Sequence, residues 1–283
     1  MAEKLDMVLV DKPWGVRALP APFSASLNRD LAQPIGEIWF PAPAHRDMDL
    51  LVKYLFTREN LSIQVHPNDE QAQARGFVGG KDECWYILDA EPDAVVGIGT
   101  VQELDADALH RAALDGDLAR HMTWYPVQKG MLFHIPAGTI HCIGAGVSLI
   151  ELQQNVDVTY RLYDFGRTRD LHLADGVAVS RAEPFAHHHI QHVARGADRI
   201  LLANDHFALA QMSSGTTWPW NKPDPRYADL TPTDGTQIII IPVEGAIWVD
   251  DMVVGAGECV LVGTDCQLRL EKDAHILVAW SKA

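Results

Sequence analysis

The chain lacks several things that would define its class at once. No apolar run approaches the roughly 18 residues that a membrane span needs, and the opening "MAEKLDMVLVDKPWG" has no long apolar segment of a secretion signal. Its four cysteines, Cys84, Cys142, Cys259 and Cys266, are scattered and form no CxxC. That excludes a zinc ribbon and a disulfide frame, and the expectation is free thiols in a cytoplasmic protein. Positive charge is also short: 23 Lys and Arg stand against 38 Asp and Glu, a formal net charge of −15. Such a balance argues against nucleic acid or an anionic membrane as partner. It leaves room for a small anion, if a few Arg and Lys converge locally. No stretch is disordered by composition, because 47% of the 283 residues are hydrophobic.

What is present is a succession of short apolar runs cut by glycine and proline. "LLVKYLF", "LSIQVHP", "CWYIL", "AVVGIG", "GMLFHIP", "VSLIELQQ" and "VTYRLYDF" have strand length and β-branched or aromatic content. This spacing predicts an all-β chain of sandwich or barrel type with a few short helices. The clearest helix is predicted over 105–121, capped by Asp105 or Asp107 and broken near Gly116; a shorter one is predicted over 171–179. A boundary falls within 165–195, and strands then return to the C-terminus. The two β-rich halves read as one architecture used twice, divided as 1–168 and 169–283.

Alternate residues of a strand share a face. Ser62, Gln64 and His66 therefore point one way, and so do Lys81, Glu83 and Trp85. The interval between the two strands suits a turn and a return strand alongside. A third element, Gly130–Pro136–Gly138–His141, has the spacing Gly-x5-Pro-x-Gly-x2-His. It resembles the second motif of the cupin barrel, a double-stranded jelly roll in which the turn aims the histidine inward at a metal. Ala145 stands where the generic motif has Asn. Gln64, His66, Glu83 and His141 together form a mixed nitrogen and oxygen set. It suits one Zn²⁺, with Mn²⁺, Co²⁺ or Fe²⁺ as substitutes. Any one of them alone reads better as a satisfied core group. Four polar groups aimed into one apolar barrel are costly without a common partner.

Glu151 and Gln153 share a strand face just after the His141 turn. Arg161, in "TYRLYD", needs an anion if its side chain faces inward; the plainer alternative is an ion pair with Asp157 or Asp164. The run "AHHHIQH" reads as clustered surface histidine, and His134 has parity opposite to His141. Trp218 and Trp220 are expected to cover a barrel end. The C-terminal half has no second set of ligand motifs, so its barrel is expected to be metal-free.

"LSIQVHPNDEQA", "GKDECWYIL", "IPAGTIHCIGAG" and "IELQQNVDVTYRLYDFGR" resemble the type I mannose-6-phosphate isomerases in their short bacterial form, across roughly residues 8–170. Phe165 stands where short members often carry Trp. The resemblance implies two cupin-type jelly-roll barrels, the first carrying the metal site. It implies a zinc held by Gln64, His66, Glu83 and His141, an active-site arginine at Arg161 and an active-site glutamate at Glu151. Ser62 and Lys81 match positions near substrate. The implied reaction is the aldose–ketose isomerisation of mannose 6-phosphate and fructose 6-phosphate through an enediol, so the partner is a hexose phosphate. Glu151, Lys81 and metal-bound hydroxide all remain candidates for the base, and Arg161 and Lys81 for the phosphate contact. The alternatives are a different metal-dependent cupin enzyme, such as an iron dioxygenase or an isomerase or epimerase of a related sugar phosphate, and a non-catalytic sugar-phosphate-binding cupin.

Overall fold

A computed structural model describes residues 2–27, 31–196, 198–213, 232–233 and 235–282. Trp218 and Trp220 lie outside the described residues. The chain is built from antiparallel sheets stacked face to face. A seven-stranded sheet runs, in spatial order, Ile190–His192, Met131–Ile135, Glu83–Ala90, Val147–Gln154, Leu50–Phe56, Ile35–Phe40 and Val8–Val16. A five-stranded sheet runs Tyr160–Tyr163, Ile63–Val65, His141–Ile143, Val95–Thr100 and Met122–Pro126. The C-terminal half contributes a six-stranded sheet, centred on Ile238–Glu244 and His275–Ser281, and a three-stranded one around Ala246–Val249. The all-β expectation holds.

Four hydrophobic clusters give the order of the layers. Ile63, Val65, Cys142 and Leu162 of the five-stranded sheet meet Leu109, Leu118 and Val179 of the helices. Its other face, with Val96, Ile98 and Ile143, meets Trp85, Ile87, Phe133 and Leu149 of the seven-stranded sheet. The far face of that sheet, with Tyr54, Phe56, Tyr86 and Leu152, meets Phe207, Leu209, Ile239 and Leu277 of the six-stranded sheet. Beyond it, Ile240, Val260 and Val278 meet Ile247, Val249 and Leu268 of the three-stranded sheet. The seven-stranded sheet is thus covered on both sides. That is why all seven residues of Leu50–Phe56 are buried and the run shows no polar alternation.

The helices follow the local signals. Ala106–Leu114 is capped by Asp105, whose carboxylate accepts from the Ala108 N–H at 2.7 Å. Gly116 turns with φ +74° into Leu118–His121. The patch expected over 171–179 is the helix Leu173–Val179. No helix among the described residues is long and apolar enough to cross a membrane.

The two halves are joined at several places among the described residues. Glu3–Lys4 pairs with Val260–Val262, adding the start of the chain to the C-terminal sheet. Ile190–His192, past the expected boundary, pairs with Met131–Ile135 of the first half. The cluster between the seven- and six-stranded sheets is drawn from both halves. Phe207, fully buried in that cluster, tests the consequence. Phe207→Ala should cost about 3–5 kcal/mol and lower one common urea transition. Two separate transitions, only one of them shifted, would show halves that unfold independently.

Candidate metal centre

The site lies between the seven- and five-stranded sheets. On the five-stranded side, Arg161, Gln64 and His141 are direct cross-strand neighbours, since Arg161 pairs with Gln64 and Gln64 with His141. Their side chains therefore stand in a row on the inner face, while Ile63 and Val65 point outward to the helices. On the seven-stranded side, Lys53, Glu151 and Trp85 form one such row, and Gln153 and Glu83 the next. His66 follows the short strand Ile63–Val65 and completes the cluster from the edge.

His66, Glu83 and His141 offer three ligand atoms within 4.8 Å of one another, all buried. The Glu83 carboxylate oxygens lie 3.5 Å from His66 Nε2 and 3.5 Å from His141 Nε2. Each imidazole donates its Nδ1–H to a backbone carbonyl: His66 to Val158 at 2.8 Å, His141 to Thr139 at 2.9 Å. Those carbonyls accept only, so the tautomer is fixed and both Nε2 lone pairs face the site. Burial pushes both imidazoles well toward the neutral form, His141 down to about 4. Two oriented neutral imidazoles and a carboxylate fit a borderline divalent cation. Gln64 stands beside them, its amide nitrogen 3.3 Å from His141 Nε2 and its Oε1 accepting from Ser62 Oγ at 3.2 Å. A half-turn of the amide would present Oε1 to the ligand cluster instead.

Two lysines and a second carboxylate surround this set. Lys81 Nζ contacts Glu83, lies 3.3 Å from His66 Nε2 and 3.6 Å from Glu151. Lys53 Nζ lies 3.4 Å from Glu151 and 4.4 Å from the centre of the Trp39 ring. Burial raises the Glu83 carboxyl and the Glu151 charge raises it further. Burial opposes ionisation of Glu151 too, but Lys81 and Lys53 hold its carboxyl below the usual range. Burial likewise opposes the Lys81 charge, yet Glu151 and Glu83 keep its ammonium protonated above the ordinary lysine range. The site therefore presents Glu151 as a carboxylate and Lys81 as a proton donor.

Arg161 makes no ion pair with Asp157 or Asp164, the plainer alternative for it. Asp164 is held by Arg167 and Arg169, and Arg161 donates Nη1–H to the Asp170 carbonyl at 2.7 Å. Its Nε–H is buried without a partner. The structure thus brings Ser62, Gln64, His66, Lys81, Glu83, His141 and Glu151 together and sets Arg161 in the Gln64–His141 row. Sequence reasoning missed Lys53, Glu37 and Trp39. The signal was a lysine in the middle of "LLVKYLF" and a glutamate in "IGEIWF", each costly in a buried strand without a partner. Glu37 pairs with Lys12 at 3.2 Å and accepts from the Trp39 indole N–H. The histidine run also differs from the expectation. His187 and His188 are exposed, but His189 is half-buried and turned against His134.

No model of a known protein family matches the chain. Over 154 residues it is 40% identical to the mannose-6-phosphate isomerase ManA of Bacillus subtilis, covering 50% of this chain and 47% of that protein. Over 182 residues it is 38% identical to the mannose-6-phosphate isomerase of Streptococcus mutans, covering 59% of this chain and 56% of that one. Its curated relatives are mannose-6-phosphate isomerases. The chain spans about half the length of the curated relatives it matches. Among solved structures, the mannose 6-phosphate isomerase from Bacillus subtilis superposes with a TM-score of 0.73 at 20% identity, covering 98% of each chain. A zinc-bound mannose 6-phosphate isomerase superposes with a TM-score of 0.70 at 16% identity, covering 100% of both. These likenesses establish the fold.

Lys53 gives a test of the buried charge cluster. Lys53→Met should destabilise the protein by about 3 kcal/mol, because it removes one of two cations from a buried carboxylate. Adding Glu151→Leu should recover part of that loss in a denaturant double-mutant cycle. Strictly additive losses would show that the two side chains do not interact.

Proposed function

We propose that the chain is a metal-dependent aldose–ketose isomerase that interconverts mannose 6-phosphate and fructose 6-phosphate. The observation that carries the reading is the buried His66–Glu83–His141 cluster with ionised Glu151 and protonated Lys81 against it. The sequence relatives named above supply the substrate. Gln64, His66, Glu83 and His141 would hold one zinc ion, with Gln64 Oε1 as the fourth donor. The metal supplies Lewis-acid stabilisation of negative charge on the sugar oxygens.

The chain's own residues account for the remaining needs of a C2-to-C1 proton transfer through an enediol. Glu151 is buried and held ionised by Lys81 and Lys53, and accepts the C2 proton in this reading. Lys81 is protonated within 3.6 Å of Glu151 and donates toward the sugar oxygens. Arg161 offers its unpartnered Nε–H to an anionic oxygen of the substrate. Ser62 Oγ lies within reach of the Gln64 amide and, with that amide turned, would accept from its Nε2–H. The catalytic unit in this proposal is 1–168, with 169–283 as a metal-free packing partner. A hexose phosphate is the only substrate class it requires.

Purified protein loaded with zinc should convert mannose 6-phosphate to fructose 6-phosphate. Turnover of a different sugar phosphate alone would overturn the substrate assignment. His141→Ala should lose the bound ion and activity while keeping its circular-dichroism spectrum. Arg161→Ala should keep the ion but lose at least about 10²-fold in kcat/KM, about 2.7 kcal/mol of transition-state stabilisation. Wild-type turnover in that variant would reduce Arg161 to a structural contact with Asp170.

A further inference from the structure

A second constellation of metal-binding side chains lies on the opposite side of the strand that carries Glu83. Asp82 is 6% exposed and takes three hydrogen bonds. His134 Nε2–H donates to its Oδ1 at 2.8 Å, Asn204 Nδ2 donates to the same oxygen at 2.7 Å, and the Ala137 N–H donates to Oδ2 at 3.2 Å. Among the described ion pairs none joins Asp82 to a lysine or arginine; its one partner is His134. A buried carboxylate without a cation is costly. Because Asp82 takes the Nε2 proton of His134, the Nδ1 lone pair of that ring is fixed outward. It points at His189 Nδ1, 3.1 Å away.

Two imidazole nitrogens bound to one tetrahedral ion at about 2.0–2.1 Å lie about 3.3 Å apart, so the spacing here is close to a ligating pair. A carboxylate behind one of the rings is the arrangement that orients and strengthens an imidazole ligand. Burial, with His134 and His188 beside it, pushes His189 down to about 4, which leaves it a neutral donor. The His188 ring lies 4.0 Å from that of His189. His189 also lines a surface cleft with Pro136, Thr139, Glu183 and Arg181, whose guanidinium donates to the Ala137 carbonyl; the cleft gives an ion and its water ligands a way in.

We propose that His134 and His189 form a second divalent-cation site, backed by Asp82 and completed by water from the cleft. It takes an imidazole-preferring ion such as zinc, nickel or copper(II), and supplies the positive charge that Asp82 lacks. The site is independent of the His66–Glu83–His141 centre and holds whether or not that centre catalyses isomerisation.

The test is equilibrium dialysis of the full chain against zinc, with elemental analysis, repeated on variants. The wild type should bind two equivalents. His189→Ala and His134→Gln should each lose one of them and keep the other, while His141→Ala should lose only the other. The exposed pair His187→Ala/His192→Ala should retain both. Stoichiometry unchanged in both His189→Ala and His134→Gln would overturn the proposal and leave the 3.1 Å contact as a hydrogen bond alone. Loss of the same equivalent in His187→Ala/His192→Ala would overturn it as well, assigning the ion to the surface run. A wild type with one equivalent that vanishes in His189→Ala but survives His141→Ala would uphold this site and refute the other.

Discussion

Four charged groups, Lys53, Lys81, Glu83 and Glu151, are buried between two sheets, and their mutual neutralisation is the condition the rest of the structure meets. Each is at most 5% exposed. An isolated charge at that depth costs several kcal/mol, so none of the four is tolerable alone. The cluster stays charged because two ammonium groups face two carboxylates within 3.6 Å. Glu151, which faces both lysines, remains ionised, and Glu83, against the imidazoles, is pushed toward protonation. A pair of carboxyl groups is thereby divided into unlike roles by environment alone.

The sandwich that encloses this cluster was largely legible in the sequence, and the reasons are local. "LSIQVHP" alternates because one side of its strand meets helices and the other meets the site. Period two therefore separates Ile63 and Val65 from Gln64 and His66. The helix at Ala106–Leu114 was readable from Asp105 and Gly116, since a cap and a left-handed turn are written in single residues. Lys53 was not readable in the same way. Its strand is covered on both faces, so alternation is erased, and only cross-strand registration with Glu151 explains the lysine. The partner of His189 was hidden for a different reason. It depends on His134, fifty-five positions earlier, being turned by Asp82 to the outer face. Sequence parity set His134 opposite to His141, but its contact with His189 is made only by the fold.

The stacking of layers also explains how the C-terminal half bears on the site without contributing a ligand. The seven-stranded sheet carries Glu83, Glu151 and Lys53 on one face and rests on the six-stranded sheet with the other. Side chains on a sheet supported from behind are held to the registration of their strands. Asn204, from the second half, reaches the carboxylate of Asp82 immediately before Glu83. The second half is therefore the floor under the strand that carries the ligand.

The pairing of Glu3–Lys4 with Val260–Val262 has a kinetic consequence. The strand Glu3–Lys4 forms its ladder with Val260–Val262, so this part of the six-stranded sheet closes only when the residues between them are in place. Contacts of such sequence separation carry a large loop-closure cost before they return any stability. The last of the six strands along the sequence, His275–Ser281, lies in the middle of that sheet between Ile238–Glu244 and Phe207–Met212, so until it is in place both of those neighbours keep an open edge.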